Sequence, residues 1–421
     1  MSNSVPEVSG EPPVSIYAFE HRSFVLYWGA RFLNSFAIQI VSVAVGWQIY
    51  DETRDPLMLG LVGLVQFAPA LIFVLNTGSV ADRYNRRAVM GICIGVEAIC
   101  TAAIAVFWTF HTAPGSAGED LVVWPVFVIL AVFGVARAFL IPSVLSLMAN
   151  IVPRAAFANA VAWNSSAMQL SFTVGPALGG LIYGLSPMAA YGTSFALFTG
   201  AAILTILIPK PAQKTFAEPR SWDTLLAGVR YIWSQPIVLG AISLDLFAVL
   251  LGGATALMPV FARDILQVGP WGLGLLRSAA GIGALIMGIW LVRNPISNRA
   301  GLTMFCGVAV YGVSIIVFGL STTLWISIPA LVIMGAADMV SVNVRGTLVQ
   351  LATPDDVRGR VSAVNSVFIG ASNELGEFRA GSMAALVGAV PAVVVGGAGT
   401  LLIAGLWTRL FPPLLNVRRM T

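Results

Sequence analysis

Ten ionisable side chains stand inside stretches of this chain long and apolar enough to cross a bilayer: Glu97, Asp245, Asp338, Glu374, Glu377, Arg31, Arg137, Arg277, Arg345 and Arg379. Only 10% of all residues are charged. A charge in hydrocarbon is so unfavourable that it persists where it faces a protein interior, pairs with another charge or handles ions. Glu374 and Glu377 are the most telling, because three residues of helix put both carboxyls on one face. Packing alone gives no reason for two acids there, and proton exchange does. Asp245 and Asp338 are the further proton-exchange candidates. Arg31, Asn34, Glu97, Arg137, Arg277 and Arg379 are cavity or ion-pair candidates, with Glu97 expected beside Arg137 or Arg31.

The elements that must hold these groups are membrane helices. With 421 residues, 57% of them hydrophobic, 42 glycines and a mean hydropathy of +0.87, the chain is not a water-soluble globule. A spanning helix needs about 20 apolar residues. Twelve stretches qualify, near 24–50, 57–77, 88–110, 122–149, 158–184, 190–208, 237–261, 271–292, 301–320, 324–350, 361–388 and 391–411. The first 23 residues lack the basic start and apolar core of a cleavable signal. They read as a cytoplasmic tail (1–23), followed by a six-helix bundle (24–208), a cytoplasmic linker (209–236), a second bundle (237–411) and a short tail (412–421).

Orientation follows from the basic residues. With the N-terminus inside, alternate loops and tails on that side hold 16 of the 23 Lys and Arg, and the other side holds two, Arg54 and Arg263. Both termini are therefore expected in the cytoplasm. The net charge of +4 is spread over many short loops and marks topology, not a nucleic-acid surface. Cys93, Cys100 and Cys306 all fall in spans, and His21 and His111 stand far apart, so neither a disulfide framework nor a metal site is expected. The absence of a phosphate loop, a histidine-based catalytic cluster and a sizeable extramembrane domain argues against an enzyme. No cofactor is implied.

The chain is also doubled. A shift of 201 residues lays Gly134, Pro153, Asn164, Ser165, Gly175 and Gly180 on Gly335, Pro354, Asn365, Ser366, Gly376 and Gly381. Two copies of six spans share one orientation, the parallel-repeat arrangement. The same register puts Glu374 on Thr173 and Glu377 on Pro176, and sets Asp338 against Arg137, opposite charges that could pair across a cavity. A slightly longer shift relates Asp245 to Asn34, so both are expected to face that cavity. In the linker, Trp222, Leu225, Leu226, Val229 and Trp233 recur at helical spacing, as in an amphipathic helix lying on the membrane surface.

Three motifs carry a family likeness. Gly78-Ser79-Val80-Ala81-Asp82-Arg83-Tyr84-Asn85-Arg86-Arg87 resembles the signature loop of the major facilitator superfamily, with Asn85 where the pattern has Gly. Asp82 is an anion available to a helix N-terminus, here the start of span 11 near Val361 to Ala363. The second-half copy, Gly288 to Arg293, puts Val292 where the Asp belongs. Ser171 to Gly180, with Gly175-Pro176 and Gly179-Gly180, is similar to the motif of that superfamily's antiporters, where Pro kinks the span and Gly permits close packing. Ala30-Arg31-Phe32 and the run from 348 to 378 resemble the drug:proton antiporter-3 branch, which includes macrolide and siderophore exporters. The likeness covers essentially the whole chain.

That resemblance implies an all-α fold of twelve helices in two pseudo-symmetric bundles, a central cavity, alternating access, and proton-driven efflux across a bacterial inner membrane; the chain is expected to be a monomer. Arg345, Arg358 and Arg360 are expected at the cytoplasmic mouth as gate contacts. The rival readings are an uncoupled facilitator or importer and, from another class, a transporter-like scaffold or receptor. Eleven Trp, 23 Phe and charges of both signs allow a small amphipathic, aromatic substrate.

Overall fold

Proline opens several of the helices, because its missing N–H falls where no partner exists and its fixed φ suits a first turn. The computed structural model describes residues 16–111, 123–210, 222–296 and 298–417. Lys214, Arg220, Arg418 and Arg419 lie outside these segments. The first half comprises α1 (Arg22–Thr53), α2 (Pro56–Ile72), α3 (Val74–Arg83), α4 (Arg86–His111), α5 (Trp124–Ile151), α6 (Phe157–Leu185) and α7 (Pro187–Leu207). After the linker helix α8 (Trp222–Ser234) come α9 (Pro236–Gly252), the short α10 (Met258–Val260), α11 (Gly269–Arg293), α12 (Ala300–Leu320), α13 (Leu324–Leu351), α14 (Asp355–Val387), α15 (Ala389–Leu410) and α16 (Pro412–Leu415). The path crosses the membrane twelve times.

Two spans differ from the uninterrupted helices expected. Span 2 breaks at Phe73, and the signature segment expected as a loop runs from the end of helix α3 (Gly78 to Arg83) through Tyr84-Asn85 into the first turn of α4. Span 7 stops at the Gly252-Gly253 pair and continues as a 3-10 turn, α10 and a π-helical turn over Phe261–Ile265. The carbonyls freed there are taken by Arg379, whose Nε donates to Leu250 O at 3.0 Å and whose Nη2 donates to Leu251 O. Irregular backbone at membrane depth needs such internal partners.

Nine of the described helical stretches are long and apolar enough to span by themselves. The 17-residue α2 is too short, and the long α6 and α14 are too polar. The reason is positional. Gln169 of α6 and Asn373, Glu374 and Glu377 of α14 line the interior between the halves, whereas α4 turns Ile92, Ile99, Val106 and Phe110 outward as a lipid-facing stripe.

The halves meet along two seams, α2 against α14 and α6 against α11. A Cβ at Gly180 would come within 2.9 Å of the Gly274 backbone, and one at Gly381 within 2.9 Å of the Gly60 backbone. These contacts are equivalent under the duplication, as are Gly134 against Gln66 and Gly335 against Ala280 inside the halves. The seams run inward to Phe67 against Gly370 and to Gln169, whose Nε2 donates to Gly281 O at 3.4 Å. Nearer the termini Val161, Ser165 and Ser166 of α6 and Arg358, Gly359 and Ser362 of α14 are exposed, so that end stands open. The helix motif of span 5 serves the seam: α6 stays helical through Pro176, and the next amide, Ala177 N, donates to Ser278 Oγ of α11 at 3.0 Å.

The linker helix α8 packs on α14 and α9. Gly228 lies against the Arg360 carbonyl, and Tyr231 Oη donates to Ala352 O at 2.7 Å. Leu226 and Trp233 of the expected amphipathic face stay exposed, and the side chains of Trp222 and Leu225 lie outside those described.

Because the seam has no room for a methyl group, Gly180→Ala is expected to destabilise the closed seam by about 1–3 kcal/mol. Gly184→Ala, at a position with nothing within 4 Å, should be neutral. Melting temperatures of the two purified variants check this.

Candidate functional site

Between the halves lies a cavity of about 570 Å³, walled by helices of both halves. Seven of the ten intramembrane charges line it: Asp245, Asp338, Glu374 and Glu377 with Arg137, Arg277 and Arg345. Each comes from a helix that touches both the cavity and a seam or its neighbour, which is how a polar residue survives at that depth.

On the second-half wall, Asp245 of α9 forms an ion pair with Arg345 of α13, and the two residues are only 7% and 5% exposed. This corrects the expected place of Arg345, which is inside the cavity rather than at its mouth. The expected pairing of Asp338 with Arg137 is also absent among the described residues. Asp338 sits seven residues before Arg345 on α13, and its charged neighbours are Asp245 and Arg345.

On the wall formed by α14 and the first half, Glu374 and Glu377 project toward α2. A Cβ at Gly63 would lie 2.5 Å from Glu374 Oε2 and 3.3 Å from Glu377 Oε2, so Gly63 makes the space they occupy. Arg137 stands near by: it follows Gly134 by one helical turn on α5, and Gly134 rests on Gln66 of α2, itself one turn beyond Gly63. Arg137 is a charged neighbour of both glutamates, and Arg277 is one of Glu377. Neither glutamate makes an ion pair within 4.0 Å among the described residues. Arg277 reaches from α11 to α1, donating from Nη1 to Ser42 Oγ at 2.9 Å, while its Nε has no hydrogen-bond partner among the described residues.

The remaining three charges are elsewhere. Arg379 is not a cavity group, since it caps the C-terminal end of α9 as described. Glu97 is fully buried in the first half, and among the described residues both its carboxyl oxygens lack hydrogen-bond partners, as do Asn34 Oδ1 and Nδ2 and Arg31 Nε. Arg137 and Arg31 are its charged neighbours, as expected, but neither bonds to it. Arg31 instead makes a 3.9 Å contact from Nη2 to Met168 Sδ. Asn34 is buried away from the cavity that its counterpart Asp245 faces.

In the signature segment, Gly78 is buried and Arg83 exposed, while the Asp82 side chain, with its expected tether to α14, lies outside those described. Arg86 donates from Nη1 to Asn150 Oδ1 at 2.9 Å, and Arg87 donates from Nη1 to Ile208 O at 2.6 Å. These arginines close the C-terminal ends of α5 and α7, where carbonyls lack partners and positive charge is favoured. Arg358 bonds within its own turn, to Asp355 at 2.6 Å and to Thr353 O at 3.2 Å, and Arg360 is exposed.

A group missed at the sequence level closes the opposite end of the cavity. Asp51 of α1 pairs with Arg263 of the π-helical turn, Tyr50 donates to Asp264, and Arg54 stands 3.6 Å from Asp264. All three contacts join the first half to the second. The signal was present: Arg54 and Arg263 are the two basic residues expected on the side where such residues are disfavoured.

The two-bundle fold with charges gathered between the bundles is that of a membrane transporter. Residues 27–377 match the Major Facilitator Superfamily, and the chain belongs to it. Enterobactin exporters EntS of Shigella boydii serotype 4 and Escherichia coli O1:K1 / APEC are each 25% identical over 393 residues, covering 91% of this chain and 90% of their own. Among solved structures, a bacterial homologue of the human lysosomal transporter Spinster, in an inward-facing and occupied conformation, superposes with a TM-score of 0.72 at 14% identity, covering 93% of this chain and 96% of that one. A bacterial homologue of the iron transporter ferroportin in an inward-facing state gives 0.68 at 14% identity, covering 94% and 99%.

Two outcomes test the geometry. Asp245→Asn leaves Arg345 buried without its counter-charge and is expected to destabilise the protein by about 3–5 kcal/mol. Adding Arg345→Gln should restore much of the lost melting temperature. At the other end, Asp51→Asn with Asp264→Asn removes both acids of the cross-half network. In a cysteine-free background carrying Ser42→Cys in the cavity, it should raise labelling by an impermeant thiol reagent added from that side several-fold; unchanged labelling would deny the network its closing role.

Proposed function

We propose that this chain exports a small amphipathic molecule across a bacterial inner membrane by alternating access, exchanging it for protons carried on Glu374 and Glu377. The observation that carries the reading is the pair itself: two carboxyls on one face of α14, at the cavity wall, without a direct ion-pair partner. Where the first half has Thr173 and Pro176 at the equivalent places, the second half has two acids, so the pair is not required to build the seam. Desolvation and like charge favour proton uptake by such a pair, and a nearby arginine favours release. Rocking of the halves changes the exposure of the glutamates and their separation from Arg137 and Arg277, which couples proton binding to conformation. Asp245 and Asp338 form the second proton-exchange group, held closer to its cation. Export is favoured by the exporters among the relatives and by the Gly175-Pro176 segment. The excess of basic residues on one side supports cytoplasmic termini, with the open end of the cavity facing the cytoplasm.

Inverted membrane vesicles test this with a broad panel of siderophores and antibiotics. The parent protein is expected to accumulate at least one compound on imposing a proton gradient. Glu374→Gln and Glu377→Gln should abolish gradient-driven accumulation while leaving counterflow exchange of the same compound intact. Accumulation that survives in both variants and in the double variant moves coupling to Asp245 or Asp338. Indifference of the parent to the gradient would identify an uncoupled facilitator.

A further inference from the structure

The linker helix α8 has two apolar faces, and only one is covered. Ile232 is fully buried among Val238, Ile242, Val349, Val361 and Val364, and Gly228 on the same side lies against the Arg360 backbone. On the other side Leu226 is 50% and Trp233 70% exposed. Seven residues apart, they stand two turns apart on one stripe, and Val229, at its edge, is half-buried against the covered cluster. Arg230 is exposed next to that stripe, Arg360 is exposed on the first turns of α14 that meet α8 at Gly228, and neither has an ion pair among the described residues.

Depth follows from connectivity. α8 ends at Ser234, and α9 begins its span at Pro236, so Trp233 stands at the level where the chain enters the bilayer. That is the level at which tryptophan is enriched, with its ring among the headgroups. An apolar stripe flanked by arginines at that depth suits a helix lying in the interface of a membrane with anionic lipids.

We propose that α8 is a docking site for anionic phospholipid, with Leu226 and Trp233 in the acyl boundary and Arg230 and Arg360 on the headgroup. The consequence reaches the transport machinery mechanically. α8 is fixed to the start of α14 through Gly228 and Ile232 and to the end of α13 through the Tyr231 hydroxyl. α14 carries Glu374 and Glu377, and α13 carries Asp338 and Arg345. Lipid charge would therefore act on the two helices that bear most of the cavity acids, without entering the cavity.

The test uses the full-length protein, freed of Cys93, Cys100 and Cys306, with Leu226→Cys bearing an environment-sensitive fluorophore, in lipid nanodiscs. Nitroxide-labelled phosphatidylglycerol and nitroxide-labelled phosphatidylcholine are added at the same minority fraction. Both should quench, with the anionic lipid more effective by about twofold at low salt. High salt should remove that preference by screening the exposed arginines, and Arg230→Gln with Arg360→Gln should remove it while quenching itself persists. Equal quenching by the two lipids at low salt, or a preference that survives high salt, overturns headgroup recognition. Absence of quenching by either lipid overturns the docking altogether, and assigns the face to water or to the first half. The salt arm needs no substitution at either arginine, so the proposal remains testable if the double variant does not fold.

Discussion

At the two seams the backbones of the halves lie so close that no β-carbon fits, and this approach constrains almost everything else in the molecule. Gly180 on Gly274 and Gly381 on Gly60 are duplicates of one contact, related by the same internal repeat that relates the halves. In a bilayer, apolar side chains gain little by leaving lipid for each other, so helices are held by van der Waals contact between small residues and by hydrogen bonds. Glycine lets two rigid bundles touch along short strips without interlocking side chains. Such strips can hold the halves at one end and let them part at the other. The polar contacts of Asp51, Arg54 and Asp264 with their partners lie at the held end, partly exposed, where ion pairs are individually weak and readily exchanged for water.

Parting the halves creates the interior that the charges need. Seven ionisable residues share one cavity, and their partnerships are unequal. Asp245 and Arg345 satisfy each other at bonding distance and leave Asp338 beside them. Glu374 and Glu377 have each other, and the arginines of two other helices, at longer range. An ion pair closed in the interior resists change, because separating it strands both charges. A pair of acids without a bonded cation can change its protonation in response to a small movement of either wall. The asymmetry between halves is therefore chemical as well as geometric: the duplication supplied equivalent positions, and the second copy placed acids where the first has a hydroxyl and a proline.

Several arginines serve helix ends instead of the cavity. Arg379, Arg86 and Arg87 each donate to backbone carbonyls or to a side-chain amide beside the last turn of a neighbouring helix. Arginine suits the task, with five donors in a fixed fork and a charge that is never lost. The break in span 7 depends on it, since two carbonyls of α9 would otherwise face the interior of the protein without partners.

The spacing of apolar stretches, the alternation of basic loops and the internal repeat determined by themselves that the chain crosses the membrane twelve times as two copies of six. Those properties are set by length, transfer free energy and charge, which are local. The pairing of Glu374 with Glu377 was legible for the same reason, because three residues of helix fix a common face. What only tertiary structure decided was which charge meets which. Arg345 reads as a mouth residue from its place near the end of a span, yet the crossing of α9 and α13 brings it to Asp245. Asp338 and Arg137 occupy equivalent places, but equivalence under a two-fold does not make residues neighbours. Arg379 looks like another cavity charge until the Gly252-Gly253 break supplies carbonyls for it. The network of Asp51, Arg54, Arg263 and Asp264 joins residues more than two hundred positions apart. Its contacts depend on how two rigid bundles are set against each other, and no periodicity within either bundle encodes that angle.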